Sequence, residues 1–374
     1  MITRKFTAGA LGASFIITAT CFAFAQQIQS AAPPFDTATT HRVKGSVAEI
    51  VAASPDEKTL VYTDSGAKQI GWVDISNPQK PSESTPLEVG GEPTSVDITP
   101  DGKWALCVVR DIRAKPGGGA SHLLLVCEMS SQRVARRIEL GGRPDCIKMS
   151  SDGKYAAIAI ENERHDMKSP MPQSPAGWLT IIDLGGAPAT WKLRRVSLVN
   201  TAERFASDPE PEYIAINDRN QAAVTLQENN AVVIVDLPTG DIIQKWSCGT
   251  TSHRADLKDD GIVALTDDLT NARREPDGLA WTPNGNIITA NEGDYPDDLK
   301  KKKNEFGGGR NFSIFSPQGE ILFDGNDLET EAAYAGVYDD KRSRKRGVEP
   351  ENVVIARFGS RTFAFVGCEN GHGA

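Results

Sequence analysis

The chain has 374 residues, a formal net charge of −9 and 39% hydrophobic residues. Its length and composition suit a folded domain with a sizeable core, and all-β domains often reach this size as one unit. Because an acidic protein is repelled by phosphate backbones, we expect no nucleic-acid partner.

The first 25 residues predict an export signal. Arg4 and Lys5 precede an apolar stretch, and Ala23-Phe24-Ala25 supplies the small residues at which signal peptidase cleaves. Because the apolar stretch is short for a spanning helix and a cleavage site follows it directly, we expect no retained membrane span. The sequence thus predicts a periplasmic or extracellular protein with a signal peptide at 1–25, a linker at 26–45 and one domain at 46–374, carrying a net charge of −11 after cleavage.

A short turn pattern then recurs along the chain. Residues 54–58, 99–103 and 150–154 read Ser/Thr-x-Asp-x-Lys between apolar stretches, and related turns lie at 217–220 and 282–285. Such turns join two antiparallel strands into a hairpin. A third apolar strand follows several hairpins, at 71–75, 180–184 and 232–237.

Three or four strands per repeated unit are typical of a propeller blade. The spacing of the units predicts an all-β fold, a β-propeller of about six or seven blades; a sandwich or a solenoid is the alternative. Because only two strands follow Pro350, we expect an incomplete last blade and a chain truncated at its C-terminus.

A second repeat consists of acidic residues around proline. Glu-Pro-Glu or Glu-Pro-Asp opens three units at 210–212, 275–277 and 349–351, and the second strands end in polar clusters at 228–230, 291–294 and 369–370. Weaker versions are Asp145 with 161–162, and Glu92 with Asp111. In an antiparallel hairpin the start of the first strand lies beside the end of the second, about 5 Å away. The two kinds of cluster should therefore share the mouth of a central channel.

Oxygen ligands without His or Cys favour a hard cation, so we predict Ca²⁺ as the cofactor. The predicted metal ligands are Glu212, Glu228, Glu275, Asp277, Asn291, Glu292, Glu351 and Glu369. The alternative is that Glu-Pro is a repeated strand-entry turn and that the acids are solvated rim residues.

Two further residues are candidates for substrate binding. Arg310 follows a glycine run and could hold a phosphate through its guanidinium. His253 lies near the acidic stretch 256–260 and could bind substrate there. The alternatives are an exposed loop arginine and a structural histidine. The charged loops at 297–303 and 339–346 are interpreted as solvated, and the five cysteines after the signal as either disulfide-bonded or small buried residues.

Several of these segments resemble a known family. The stretches 211–216, 224–231, 289–294, 308–314 and 349–353, above all Leu-Gln-Glu-Asn-Asn and Asn-Glu-Gly-Asp, are similar to those of the choice-of-anchor I domain proteins. The resemblance covers roughly 45 to 370 and implies an exported propeller of a kind often labelled alkaline-phosphatase-like. This chain departs from the family after Glu369, where its relatives continue with further strands.

Two functions follow as expectations. One is a metal-assisted hydrolase acting on a small-molecule phosphate ester, with the cation at the channel mouth. The other is a non-catalytic propeller that binds a surface protein. No G-x-S-x-G, H-E-x-x-H or P-loop motif occurs in the sequence.

Overall fold

The computed structural model describes residues 40–110, 122–162, 172, 174–292 and 308–369, and residues 42–374 cluster as one compact unit. The predicted signal peptide and the linker up to residue 39 lie outside the described residues. So do Asp111, the segment 293–294, the charged loop 297–303 and Asn370.

The described chain is nearly all β, as predicted. It forms a series of antiparallel sheets, which we number I to VI. Each strand pairs with the next along the chain, except that in sheet I both β4 and β5 pair with β3. Sheet I contains β1 (Val51–Ala53), β2 (Thr59–Asp64), β3 (Gln69–Asp74), β4 (Ser82–Glu83) and β5 (Leu87–Glu88). Sheet II contains β6 (Glu92–Ile98), β7 (Trp104–Arg110), β8 (Leu123–Glu128) and β9 (Arg133–Glu139). Sheet III contains β10 (Pro144–Met149), β11 (Tyr155–Ile160), β12 (Trp178–Asp183) and β13 (Lys192–Ser197).

The later sheets differ in size. Sheet IV contains β14 (Pro211–Ile216), β15 (Gln221–Leu226), β16 (Ala231–Asp236) and β17 (Ile242–Ser247). A separate hairpin follows, formed by β18 (Thr250–Ala255) and β19 (Asp267–Arg273). Sheet V contains β20 (Pro276–Trp281), β21 (Ile287–Asn291), β22 (Asn311–Phe315) and β23 (Ile321–Gly325). Sheet VI has two strands among the described residues, β24 (Pro350–Phe358) and β25 (Arg361–Cys368).

Helical structure is limited to the connections. The described residues contain one α-helix, α1 (Leu328–Tyr334), between sheets V and VI. Two 3₁₀ turns lie at Pro188–Thr190 and Asp340–Arg342. No helix of the described segments is long and apolar enough to cross a membrane.

The recurring turn is held by its own side chains. In three hairpins the first hydroxyl donates to the aspartate two positions on: Ser54 to Asp56 at 2.6 Å, Thr99 to Asp101 at 2.7 Å, and Ser150 to Asp152 at 2.8 Å. Gly102 and Gly153 then take φ angles of +69° and +68°, a region in which glycine carries no steric penalty. These local bonds explain why the sequence alone located the hairpins.

Apolar packing joins each sheet to the next. The second and third strands are buried on both faces in most sheets, as in β11 and β12. Five hydrophobic clusters link sheet I to II, II to III, III to IV, IV to V and V to VI in turn. Each fully buried Leu or Ile contributes about 1.5–3 kcal/mol relative to an exposed one. The sheets therefore form a stack ordered along the chain.

The first strands of successive sheets contact one another. β1 lies against β6, β6 against β10, β10 against β14, β14 against β20, and β20 against β24. The fourth strands β9, β13 and β17 instead have many exposed residues. Residues that recur at the start of first strands are thereby brought together. Closure of the ring and the number of blades stay predictions.

The five cysteines of the described segments form no disulfide with one another. Cys107, Cys127, Cys146, Cys248 and Cys368 are all free thiols, and the first four are buried. Of the two interpretations of the cysteines, the structure matches small buried side chains.

A glycine at the contact between β20 and β24 provides a test of this stacking. A Cβ at Gly278 would lie 2.5 Å from the carbonyl oxygen of Glu351 and 2.7 Å from the Cα of Asn352. Both atoms are backbone and cannot move aside, so we expect Gly278→Ala to lower the free energy of unfolding by about 1–3 kcal/mol. Gly185→Ala is the matched control, because nothing lies within 4 Å of its Cβ position. Denaturant unfolding that shows equal stability for both variants would contradict the observed β20–β24 contact.

Candidate functional site

A proline followed by an acidic residue opens four of the first strands. The pairs are Pro144-Asp145 in β10, Pro211-Glu212 in β14, Pro276-Asp277 in β20 and Pro350-Glu351 in β24. Each proline lies opposite the last residue of the second strand, and the register shifts immediately after it. Proline lacks the N–H that a regular ladder needs, and a bulge redirects the side chains that it contains. The same local irregularity thus presents an acidic residue at the same end of four neighbouring strands.

These carboxylates influence one another strongly. Burial raises the pKa of Glu212 well above its usual value, and the nearby charges of Glu228, Asp277, Glu161 and Asp145 raise it further. We call the carboxylates that interact in this way, directly or through one another, the acidic cluster. Its members are Asp145, Glu161, Glu212, Glu228, Asp277, Glu292, Glu349, Glu351 and Glu369.

The cluster extends across sheets III to VI. Burial raises the pKa of Asp277 well above its usual value, followed by the charges of Glu292, Glu351, Asp145 and Glu228. Burial and the charges of Glu369 and Glu349 raise the pKa of Glu351 to about 7. Glu212, Asp277 and Glu351 nevertheless keep part of their side chains exposed. Side chains that are enclosed by protein and still partly exposed are expected where carboxylates line a narrow, water-accessible space.

At one corner of the cluster, three carboxylates lie close enough together to hold a metal ion. Glu292, Glu349 and Glu351 each offer a carboxylate oxygen, and the three oxygens lie within 4.8 Å of one another. Arginines already occupy part of this corner. Arg346 Nη1 donates to Glu292 Oε1 at 2.9 Å and also to Glu349 Oε1, while Arg342 Nη2 donates to Glu349 Oε2 at 2.8 Å. Burial alone would raise the pKa of Glu349, but these two guanidiniums hold it below its usual value.

Six of the eight predicted metal ligands belong to the acidic cluster, namely Glu212, Glu228, Asp277, Glu292, Glu351 and Glu369. The other two have different partners. Glu275 Oε1 accepts a hydrogen bond of 2.7 Å from Arg273 Nε. Asn291 Nδ2 donates to Asn311 Oδ1 and Ser313 Oγ, at 2.7 and 2.8 Å, inside sheet V. These contacts tie both residues to the strand framework.

Sequence reasoning left four members of this region out of the ligand set. Asp145 and Glu161 were recognised only as a weaker version of the repeat, although Pro144-Asp145 repeats the proline and acidic residue of Pro276-Asp277. Glu349 is the first residue of its Glu-Pro-Glu motif. Arg346 falls in a charged loop whose contacts with the cluster no local pattern could indicate.

The Leu-Gln-Glu-Asn-Asn motif holds the strand starts in place. Asn229 Oδ1 accepts the backbone N–H of Glu210, and Asn230 Oδ1 accepts that of Glu275, both at 2.9 Å. Gln227 Nε2 donates to Glu292. One loop at the end of β15 thereby fixes the entry to its own sheet IV and to sheet V.

Arg310 and His253 lie away from open solvent. Arg310 is 3% exposed, and its Nη1 donates to the carbonyl oxygens of Asp256 and Ser343 at 3.1 and 2.7 Å. This arginine ties segments together and does not present its guanidinium as the predicted phosphate clamp would. His253 is half-buried in β18, and burial, followed by the charge of Arg310, lowers its pKa to about 4. At neutral pH the imidazole is therefore uncharged and does not attract an anion.

Comparisons with known proteins give a family and two distant structural likenesses. The model of the choice-of-anchor I domain matches residues 49–306 and 297–373. No curated protein matches the chain. The hydrazine synthase of Kuenenia stuttgartiensis is similar at 16% identity and a TM-score of 0.37, covering 65% of this chain and 80% of its own. A protein of unknown function from Bacteroides caccae is similar at 16% identity and a TM-score of 0.42, covering 76% and 83%. Both likenesses are too distant to carry a functional conclusion.

The raised pKa of Glu351 predicts that the protein becomes less stable as the pH rises through the neutral range. Because folding favours its protonated form, the stabilisation is complete below the usual value of 4.5 and is lost as the pH rises through about 7. In chelator, the free energy of unfolding should therefore fall between about pH 5 and about pH 8, and Glu351→Gln should flatten this slope. Denaturant unfolding across this range is the measurement, with exposed Glu203→Gln as control. An unchanged slope in Glu351→Gln would show that its carboxylate is not destabilised by its neighbours.

Arg346 should matter far more than its neighbour Arg344. Arg346→Gln leaves Glu292 and Glu349 without their shared guanidinium, and Glu349 is fully buried. We expect a loss of about 3 kcal/mol in the free energy of unfolding, as for a broken buried pair. Arg344 forms an exposed pair with Asp259 at 3.1 Å, so Arg344→Gln should cost less than about 1 kcal/mol. Equal losses in the two variants would argue against a special role for Arg346.

Proposed function

Because the chain belongs to the choice-of-anchor I domain family, we propose that it is an exported β-propeller of six or seven blades whose acidic cluster binds Ca²⁺. The family is one of cell-surface or secreted proteins, and we place this member in the periplasm or outside the cell. The ordered stack of sheets, in which the first strands contact one another, supports the propeller.

One observation carries the cation proposal: carboxylates from four neighbouring first strands, Asp145, Glu212, Asp277 and Glu351, influence one another, and burial together with this repulsion raises the pKa values of Glu212, Asp277 and Glu351. Like charges in an enclosed space destabilise the fold unless protons or a cation neutralise them. In addition, Glu212 Oε2 is buried and has no hydrogen-bond partner among the described residues. An all-oxygen set of this kind suits Ca²⁺, which takes six to eight oxygen ligands.

The activity that we propose for this site is metal-assisted hydrolysis of a small-molecule phosphate ester. A divalent cation bound there would polarise a phosphoryl oxygen and lower the pKa of a bound water. Glu212 and Asp277 would hold the cation, and the partial exposure of both side chains leaves room for a substrate oxygen. Arg310 has no part in this proposal, because its side chain is buried and its Nη1 donates to backbone carbonyls inside the protein.

A second function is favoured by the two arginines that bind the carboxylates of Glu292 and Glu349. Arg342 and Arg346 already neutralise Glu349 and part of Glu292. A cation in the remainder of the cluster could then serve the fold alone, in a propeller that binds a surface protein without catalysis. The two proposals share the cation and differ in turnover.

Calcium should raise the stability of the protein through the acidic cluster. Ca²⁺ at about 100 times its dissociation constant should add about 2–3 kcal/mol to the free energy of unfolding, because it binds the folded state selectively. In Glu212→Gln with Asp277→Asn this gain should vanish, while the same variant in chelator should be more stable than wild type, since like charges are removed. The measurement is the melting temperature in chelator and in excess Ca²⁺.

The matched control is Asp218→Asn, an exposed residue in the turn at the opposite end of β14. It should keep the full calcium response. Identical melting of wild type in chelator and in Ca²⁺ would rule out the cation site. Release of phosphate from a chromogenic monoester, lost in chelator and in the double variant, supports the hydrolase, whereas a calcium response without turnover supports the binding protein.

A further inference from the structure

A loop between sheets V and VI, which we call the arginine loop (residues 338–347), closes over a buried ion pair. Arg310, just before β22, and Glu329, in α1, are 3% and 2% exposed, and Arg310 Nη1 lies 3.5 Å from Glu329 Oε1. The Tyr338 hydroxyl donates to the same oxygen at 3.3 Å, and a Cβ at Gly347 would collide with it. Both ends of the arginine loop therefore lie against Glu329.

Arg310 also holds the middle of the arginine loop. Its Nη1 donates to the carbonyl oxygen of Ser343 at 2.7 Å, and Ser343 is fully buried. The Ser343 hydroxyl donates to the hydroxyl oxygen of Tyr338 at 3.0 Å, so the loop is bonded to itself around the pair. Arg310 Nη1 donates as well to the carbonyl oxygen of Asp256, after β18, at 3.1 Å. Because removing one member of a buried pair is strongly destabilising, these contacts fix the backbone of the loop.

The side chains of the arginine loop reach the acidic cluster. Arg342 Nη2 donates to Glu349 Oε2 at 2.8 Å. Arg346 Nη1 donates to Glu292 Oε1 at 2.9 Å and also to Glu349. The side chains of Arg342 and Arg346 are 33% and 32% exposed, so burial alone does not hold them. Since a free arginine side chain has many rotamers, the positions of both guanidiniums depend on the loop backbone.

We propose that the buried Arg310–Glu329 pair positions the arginine loop, whose guanidiniums then act as tethered counter-ions and weaken the binding of Ca²⁺ to the acidic cluster. The inference rests on the proposed cation site and adds its regulation. A guanidinium and a cation compete for the same carboxylate oxygens, because the same negative charge attracts both. Both members of the pair act through the loop arginines and are therefore positioning residues.

The first test is a double-mutant cycle in the full chain, measured as melting temperature in chelator. In the anchor variant, Arg310→Met with Glu329→Met, apolar side chains replace the pair, so that no charge stays buried without its partner. Arg346→Gln should lower the melting temperature less than half as much in the anchor variant as in wild type. Independent sites would instead give additive shifts, which would overturn the positioning role.

The second test measures Ca²⁺ affinity by calorimetry. The anchor variant should bind Ca²⁺ about tenfold more tightly than wild type, within the range typical of coupled sites, because the competing guanidiniums are released. In a protein with Arg342→Gln and Arg346→Gln, the anchor substitutions should change Ca²⁺ affinity no further, since no counter-ion is left to position. A pair that serves only the fold would lower stability and leave the affinity at the wild-type value.

The matched control is Arg194→Met with Asp183→Asn in sheet III. Arg194 likewise combines an ion pair, to Asp183 at 2.9 Å, with a bond to a backbone carbonyl, that of Leu237 at 2.6 Å. This variant should leave both the effect of Arg346→Gln and the Ca²⁺ affinity unchanged. If the anchor variant does not fold, Tyr338→Phe provides the test, with an expected gain of about twofold in Ca²⁺ affinity from the loss of neutral hydrogen bonds.

The two tests separate this inference from the cation site itself. A wild type that binds Ca²⁺ with the same affinity as the anchor variant would overturn the regulation by the pair. A wild type that binds no Ca²⁺ would overturn the cation site and with it the regulation. The cycle in chelator would then still decide whether Arg310 and Glu329 position Arg346.

Discussion

Repulsion between carboxylates on neighbouring first strands is the constraint to which the rest of this structure responds. Glu212 and Asp277 are enclosed by protein, and neighbouring carboxylates repel the charge of each. Such a group destabilises the fold when ionised. The chain offsets this cost at one corner, where Arg346 bridges Glu292 and Glu349 and where Gln227 also donates to Glu292. Arg346 lies in the connection between sheets V and VI, so this segment supplies part of the compensation.

The site is a product of repetition. Sheets III to VI each begin with a proline followed by a shift in register, and apolar packing then places these units side by side. A feature that recurs once per unit becomes a cluster as soon as the units stack. Mutations in the hydrophobic layers between sheets would therefore disturb the site without touching a carboxylate. Asn229 and Asn230, which follow β15, also connect sheets IV and V directly, because their side chains accept the backbone N–H groups just before β14 and β20.

Local patterns explain what the sequence could predict. The hairpins follow from turn residues that bond to one another over two positions, and the shared end of the acidic residues follows from antiparallel pairing. Partners distant in the chain could not be inferred in this way. The pairing of Arg346 with Glu292 spans 54 residues. The hairpin β18–β19 carries a largely polar sequence without the recurring turn, and its burial of Arg310 against Asp256 depends on tertiary packing alone.

Two glutamates of one motif define where a cation would act. Glu349 and Glu351 flank the same proline, yet two guanidiniums lower the pKa of Glu349, while burial and acidic neighbours raise that of Glu351 to about 7. The arginines thus satisfy only one side of the cluster, and the uncompensated charge lies toward Asp277 and Glu212. Because electrostatic attraction is greatest where negative charge is least balanced, a divalent cation should bind on that side.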